Sequence, residues 1–146
     1  MIFNWILVNK LAIGTPLINL EDKLYLKEKK IISILDLRNE FDLHEIDYDK
    51  KLALYEEFNL VNVGLPDHNS KRFAKKSEIE NAINILEKLL LHGPVFMHCH
   101  AAVERSPLIS IAYLIKIRQL NLTQAYEYVK VQNKTTNILI GQLKNI

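Results

Sequence analysis

The run His98-Cys99-His100-Ala101-Ala102-Val103-Glu104-Arg105-Ser106 gathers residue types that can do chemistry. Cys99 is the sole cysteine of the chain, with a histidine on each side and Arg105 six positions on. Three uses of such a cysteine compete: a metal ligand, a nucleophilic thiol, or a small buried hydrophobe. Metal binding fits poorly. Successive side chains at a strand end point to opposite faces, and metal ligands are usually separated by about two to five residues. His44, His68 and His92 stand in no ligand-like spacing to this run. No metal and no other cofactor is therefore expected. Burial as a small hydrophobe is the ordinary fate of a lone cysteine, but Arg105 argues for more. In the first turn of a helix its charge opposes the helix dipole, and a bound phosphate would compensate it through two parallel hydrogen bonds.

The flanking pattern places that helix behind a strand. VFMH (95–98) and IISILDL (31–37) are short apolar runs of the kind that form buried strands. FNLVNVGL (58–65) reads as a further strand ending at Pro66-Asp67, and FNWILV and KLAIG as two short strands near the start. Thr15-Pro16 signals a helix start, followed by an apolar stripe of Leu17, Leu20, Leu24 and Tyr25. A charged helical stretch follows residue 37. Ser77-x-x-Glu80 reads as a capping box, with Ile79, Ile83, Leu86 and Leu90 repeating behind it at helical spacing. Further helices are expected over 106–118, 123–132 and 136–144. Strands alternating with helices predict an α/β fold: one domain over 1–146, with a mainly parallel central sheet flanked by helices on both faces. Cys99 then sits at the carboxyl end of a central strand, where open α/β sheets bind ligands. The unpaired N–H groups of the next helix favour both a bound phosphate and an ionised thiol.

Composition sets the remaining bounds. A net charge of +2 is too small to imply nucleic-acid binding. No apolar run reaches the roughly 20 residues that span a bilayer, and MIFNWILVNK lacks the basic start and cleavage site of a signal peptide. A single cysteine excludes an intramolecular disulfide and points to a reducing compartment. The expectation is a soluble, cytoplasmic, monomeric domain with no nucleic-acid or membrane partner.

Cys99, five intervening residues, Arg105 and Ser106, with His98 in front, resemble the signature of cysteine-based protein tyrosine phosphatases, most closely the dual-specificity class. Pro66-Asp67 lies about thirty residues before the cysteine, where that class carries its general-acid loop. Residues 136–143, TNILIGQL, look like its closing helix, and NWILVNKLAIGTP like its first strand pair. The resemblance implies that Cys99 is the nucleophile, Asp67 the general acid and base, and Ser106 the hydroxyl that stabilises the departing thiolate. It also implies that backbone N–H groups of His100, Ala101, Ala102, Val103, Glu104 and Arg105 cradle the phosphate while the Arg105 side chain grips it. His98 would hold the loop from behind. The substrate implied is a phosphorylated protein or a small phosphate ester.

The chain departs from that signature at two loop positions. Ala102 replaces the usual glycine, at little cost if its φ is negative and about 1–2 kcal/mol if positive. Glu104 is expected to turn outward to solvent at the rim. The loop contains no lysine, which counts against polyphosphorylated lipids and RNA 5′ ends. Lys71, Arg72, Lys75 and Lys76 form either a solvated run or a basic rim that steers phosphorylated partners. Asp36 is a rival acid, read with Arg38 as a structural or surface ion pair. Two alternatives remain open: a phosphate-binding module that does not turn over, and a phosphatase of small-molecule or lipid monoesters.

Overall fold

The computed structural model describes residues 1–44 and 51–146. Among the described residues five strands form one sheet: β1 Phe3–Leu7, β2 Leu11–Gly14, β3 Ser33–Asp36, β4 Asn59–Asn62 and β5 Val95–His98. Their order is β1-β2-β5-β3-β4. Only the β1–β2 hairpin is antiparallel; β2–β5, β5–β3 and β3–β4 all pair in parallel. Six α-helices accompany them among the described residues: α1 Leu20–Glu28, α2 Glu40–His44, α3 Lys76–Leu90, α4 Arg105–Arg118, α5 Leu122–Gln132 and α6 Ile140–Leu143. No helix among the described residues is long and apolar enough to cross a membrane.

The period-2 alternation of the strands divides the interior into two cores. Leu11, Ile13, Leu35, Val95, Met97 and Cys99 belong to the larger, which is closed by α3, α4 and α5. Ala12, Ile34 and Phe96 belong to the smaller, closed by Leu26 of α1 and by Tyr55. Helices thus cover both faces, as the alternation of elements predicts. The same alternation sends His98 and Cys99 to opposite sides of the sheet, which separates them as potential ligands of one ion.

Several boundaries differ from the sequence reading. Helix α1 begins after Asn19, whose side chain accepts from the Asp22 N–H at 3.0 Å, rather than at Thr15-Pro16. Leu20 and Leu24 are exposed, and Leu26 is the residue that this helix buries. Helix α3 begins two residues earlier than a Ser77–Glu80 box would place it, with Lys75 as its N-cap. The Lys75 N–H donates to Glu78 Oε1 at 2.9 Å, and Glu78 also receives Arg72 at 2.7 Å. Of the expected stripe, Ile79, Ile83 and Leu86 are buried and Leu90 is half-buried against the same core; Ala82 and Leu89 join them. The expected 136–144 helix shrinks to α6, preceded by an irregular segment. The charged stretch after residue 37 forms α2 and a 3-10 turn at Ala53–Tyr55; its portion at 45–50 lies outside the described residues.

Candidate active site

Strand β5 ends at His98, and the chain then runs through an irregular loop into α4 at Arg105. None of the backbone N–H groups of residues 100–104 is hydrogen-bonded to another described residue, so this concave loop holds donors without a protein acceptor. Cys99 is buried beneath it, with Sγ 3.3 Å from Ser106 Oγ. A cleft of about 270 Å³ opens over the thiol. Its walls come from α2 (Phe41, Asp42) and from the turn after Pro66 (Asp67, His68, Asn69). Its floor is the loop, through Cys99, His100, Ala101, Val103, Glu104 and Arg105.

The cleft therefore brings together Cys99, Asp67 and Arg105 from three separate segments, with Ser106 against the thiol. Asp67 caps a 3-10 turn at His68–Ser70. Its Oδ1 accepts from the Asn69 N–H at 3.0 Å and from Ser70 Oγ at 3.1 Å. Its Oδ2 lies 3.9 Å from Arg105 Nη2. One carboxylate oxygen is thus fixed by the turn and the other is turned toward the cleft cation.

The sequence offered no sign of Asp42. Its carboxylate receives Arg105 Nη1 at 2.6 Å and Nη2 at 3.2 Å, end-on. Burial pushes the Asp42 carboxyl up, but the Arg105 hydrogen bonds and charge, with the Asn39 N–H, outweigh it and hold it below the usual carboxylate range. The end-on grip leaves the side edge of the guanidinium, Nε–H and the second Nη2–H, for another bidentate acceptor. Asp42 could not be singled out among the acidic residues of its stretch, because the contact spans 63 positions of sequence.

His98 is fully buried behind the loop. Its Nδ1 faces the Cys99 carbonyl at 3.2 Å and must carry the hydrogen, so Nε2 accepts from the Tyr55 hydroxyl at 3.0 Å. Burial holds this imidazole down at about pKa 4, so it is neutral at pH 7. Asp36 and Arg38 form a buried pair at 2.9 Å, with Asp36 Oδ1 3.7 Å from His98 Nδ1. Their pair is structural and interior rather than on the surface. Asp36 is not among the cleft residues.

Ala102 has φ of +57° and is fully buried. The open question of its backbone is thus answered on the costly side. Its carbonyl is held from behind by Asn133 Nδ2 and Thr135 Oγ1, each at 2.8 Å, and the Asn137 N–H donates to the Val103 carbonyl at 2.8 Å. Those bonds clamp the loop in the conformation that alanine disfavours.

Glu104 does not turn outward. Its side chain is buried and accepts from Gln142 Nε2, while Gln142 Oε1 accepts from the Ala74 N–H at 2.9 Å. The bond to Ala74 fixes which end of the amide faces Glu104. Burial pushes the Glu104 carboxyl above the usual range, against the opposing pull of Gln142. A satisfied partner in α6 decides its direction, and the local sequence carries no sign of that. In the basic run, Arg72 is committed to Glu78, while Lys71 borders a neighbouring groove that also touches Asp67 and His68.

Comparison with known proteins agrees with this geometry. The family model described as dual specificity phosphatase, catalytic domain, matches residues 19–146. The chain belongs to that family. Dual specificity protein phosphatase 5 of Rattus norvegicus is 37% identical over 78 residues, covering 53% of this chain and 20% of that protein. Dual specificity protein phosphatase 14 of Mus musculus is 34% identical over 87 residues, covering 58% of this chain and 42% of that protein. The chain thus spans well under two thirds of the length of these relatives. The crystal structure of PTPMT1 shares the fold at TM-score 0.77 and 15% identity, covering 99% of this chain and 90% of that one. So does the human tyrosine phosphatase-like serine/threonine/tyrosine-interacting protein, at TM-score 0.79 and 19% identity, covering 98% and 91%.

Proposed function

We propose that this chain, over 1–146, is a catalytic domain that hydrolyses phosphate monoesters of protein tyrosine, serine or threonine through a phosphocysteine intermediate. One observation carries the reading: Cys99 lies under a cleft onto which Arg105 and Asp67 also open, with Ser106 Oγ 3.3 Å from its sulfur.

The chemistry runs in two displacements. The Cys99 thiolate attacks phosphorus, the phosphorus–oxygen ester bond breaks, and Asp67 gives its proton to the departing oxygen. The free N–H groups of residues 100–105 and the side edge of Arg105 hold the phosphoryl oxygens. Water then attacks the phosphocysteine while the Asp67 carboxylate takes its proton. The sulfur–phosphorus bond breaks, and the electron pair returns to a sulfur that accepts the Ser106 hydroxyl. His98 positions the Cys99 carbonyl and so the start of the loop. The machinery is made of the chain's own side chains, and we assign it no cofactor. We further propose a cytoplasmic, monomeric domain whose partners are phosphorylated substrates rather than nucleic acid or membrane.

The test is hydrolysis of p-nitrophenyl phosphate in EDTA by wild type beside Cys99→Ser. The proposal expects turnover by wild type and none by the variant, which still binds phosphate. Equal turnover by both would refute it.

A further inference from the structure

One short segment, the chain just after α5, holds the loop of the cleft from behind. The Ala102 carbonyl accepts from both Asn133 Nδ2 and Thr135 Oγ1, and the next carbonyl, that of Val103, accepts from the Asn137 N–H. A trans peptide is planar, with its C=O and N–H on opposite sides, and no described peptide bond is cis. Anchoring the Ala102 carbonyl from behind therefore points the Val103 N–H the other way. Anchoring the Val103 carbonyl does the same for the Glu104 N–H. Val103 and Glu104 line the cleft, whereas Asn133 and Thr135 do not. Asn133 is fully buried and fully partnered: its Nδ2 also donates to Thr136 Oγ1 at 3.0 Å, and its Oδ1 accepts from Asn4 Nδ2 at 2.8 Å. Those partners fix which end of its amide faces the loop.

We infer that Asn133 and Thr135 are positioning residues for the phosphatase reaction, which aim the Val103 N–H at the phosphoryl group by holding the Ala102 carbonyl away from it. The inference rests on the phosphatase reading above and adds two residues that touch neither substrate nor the reacting atoms. Ala102 stands at φ +57°, where an L side chain is disfavoured. A return to negative φ would rotate the peptide planes on either side of it and swing a donor out of the cleft. Glycine holds the left-handed region without help. In this chain two side-chain bonds on one carbonyl do so instead. A donor aimed in advance needs no reorganisation as charge develops on the phosphoryl oxygens, so the bonds act on phosphate transfer as well as on folding.

Asn133 also ties β1 to this segment, so Thr135, an exposed residue, carries the test. Thr135→Val keeps the shape and removes the hydroxyl. It should lower kcat/KM for p-nitrophenyl phosphate about three- to tenfold. Thr135→Ser, which keeps the hydroxyl, should stay within about twofold of wild type. Placed in Ala102→Gly, the same valine substitution should cost less than about twofold, because glycine holds the loop without the bond. In Cys99→Ser, inorganic phosphate should shift the Val103 amide resonance, and adding Thr135→Val should reduce that shift and weaken phosphate binding. Undiminished activity in Thr135→Val, equal losses in the valine and serine variants, or a valine effect as large in Ala102→Gly as in wild type overturns the inference. If wild type turns over no substrate, the catalytic reading fails, and the phosphate titration of Cys99→Ser decides the inference on its own. A Val103 amide that shifts, and shifts less with Thr135→Val, supports it; one that phosphate does not move, or moves equally in both, overturns it.

Discussion

Asp42 holds Arg105 end-on, with hydrogen bonds of 2.6 and 3.2 Å to its two terminal nitrogens. The pair joins α2 to the first turn of α4 and turns the guanidinium so that its side edge remains for a phosphate. Arginine is otherwise a long side chain with about 2 kcal/mol of rotamer entropy to lose on each binding event. Asp42 removes that loss in advance.

Asp42→Ala should therefore raise KM for phosphate esters about ten- to hundredfold, with a smaller effect on the alkylation of Cys99 by iodoacetate. It also leaves a largely buried cation without its partner, which should cost about 2–4 kcal/mol in urea unfolding. A variant that binds inorganic phosphate more tightly than wild type would show that Asp42 competes with phosphate instead of orienting Arg105.

His98 gives the pH dependence of stability. Its pKa lies near 4 in the folded protein and near 6.5 in the unfolded chain, because burial penalises the charged ring. The unfolded state therefore binds more protons between these values. Stability from this group is complete above pH 6.5 and declines as pH falls toward 4, by up to about 3 kcal/mol. Glu104, whose carboxyl is pushed up, contributes with the opposite sign at the acid end of that window. The isolating measurement is the difference between wild type and His98→Asn in denaturant unfolding from pH 7.5 to 4.5. That difference should shrink on acidification; a constant difference would contradict a neutral buried imidazole.

Much of this arrangement was legible in the sequence because it is local. The β5–loop–α4 unit is one continuous stretch, and its apolar run, cysteine and arginine spacing mark strand, loop and helix in order. Asp67 was legible as a Pro-Asp turn residue from its own stretch, and as a candidate acid only through the resemblance, which puts a general-acid loop about thirty residues before the cysteine. Long-range contacts were not. Asp42, Asn133, Thr135 and Gln142 act on the loop from 31 to 63 residues away, and no periodicity selects one polar residue among several in an irregular stretch. Glu104 was misjudged for the same reason, since its direction depends on an amide in α6. In α1, Leu20 and Leu24 keep helical spacing yet face solvent, because the helix meets the sheet through Leu26.

Ala102 sets strain against packing. At φ +57° its Cβ costs about 1–2 kcal/mol, which glycine would relieve. Glycine also forfeits a buried methyl, about 0.8 kcal/mol, and about 0.5–1 kcal/mol of chain entropy. These effects nearly cancel. Ala102→Gly should leave unfolding free energy within about 1 kcal/mol of wild type, while Ala102→Val, β-branched in a filled site, should destabilise by more than about 2 kcal/mol. A loss of more than about 1 kcal/mol with glycine would mean that Asn133 and Thr135 do not hold the loop in its left-handed conformation.

Asp67→Asn removes the proton donor while the 3-10 cap can still form. The maximal rate with a phosphotyrosine peptide should fall about 10²- to 10⁴-fold. The fall should be smaller with p-nitrophenyl phosphate, whose leaving group departs with little protonation. Equal losses on both would remove Asp67 from the role of acid.

Covalent transfer of phosphate to Cys99 is the claim on which the rest depends, and a rapid-quench experiment reads it directly. Asp67→Asn, in which breakdown of the intermediate is also slowed, is mixed with phosphorus-labelled p-nitrophenyl phosphate, quenched in acid within its first turnover and digested. The label should appear on the peptide containing Cys99, as a sulfur–phosphorus bond, and be absent from the same digest of Cys99→Ser. Release of p-nitrophenol with no label on Cys99, or with the label bonded to a ring nitrogen of His98 or His100 in the same peptide, would contradict the account.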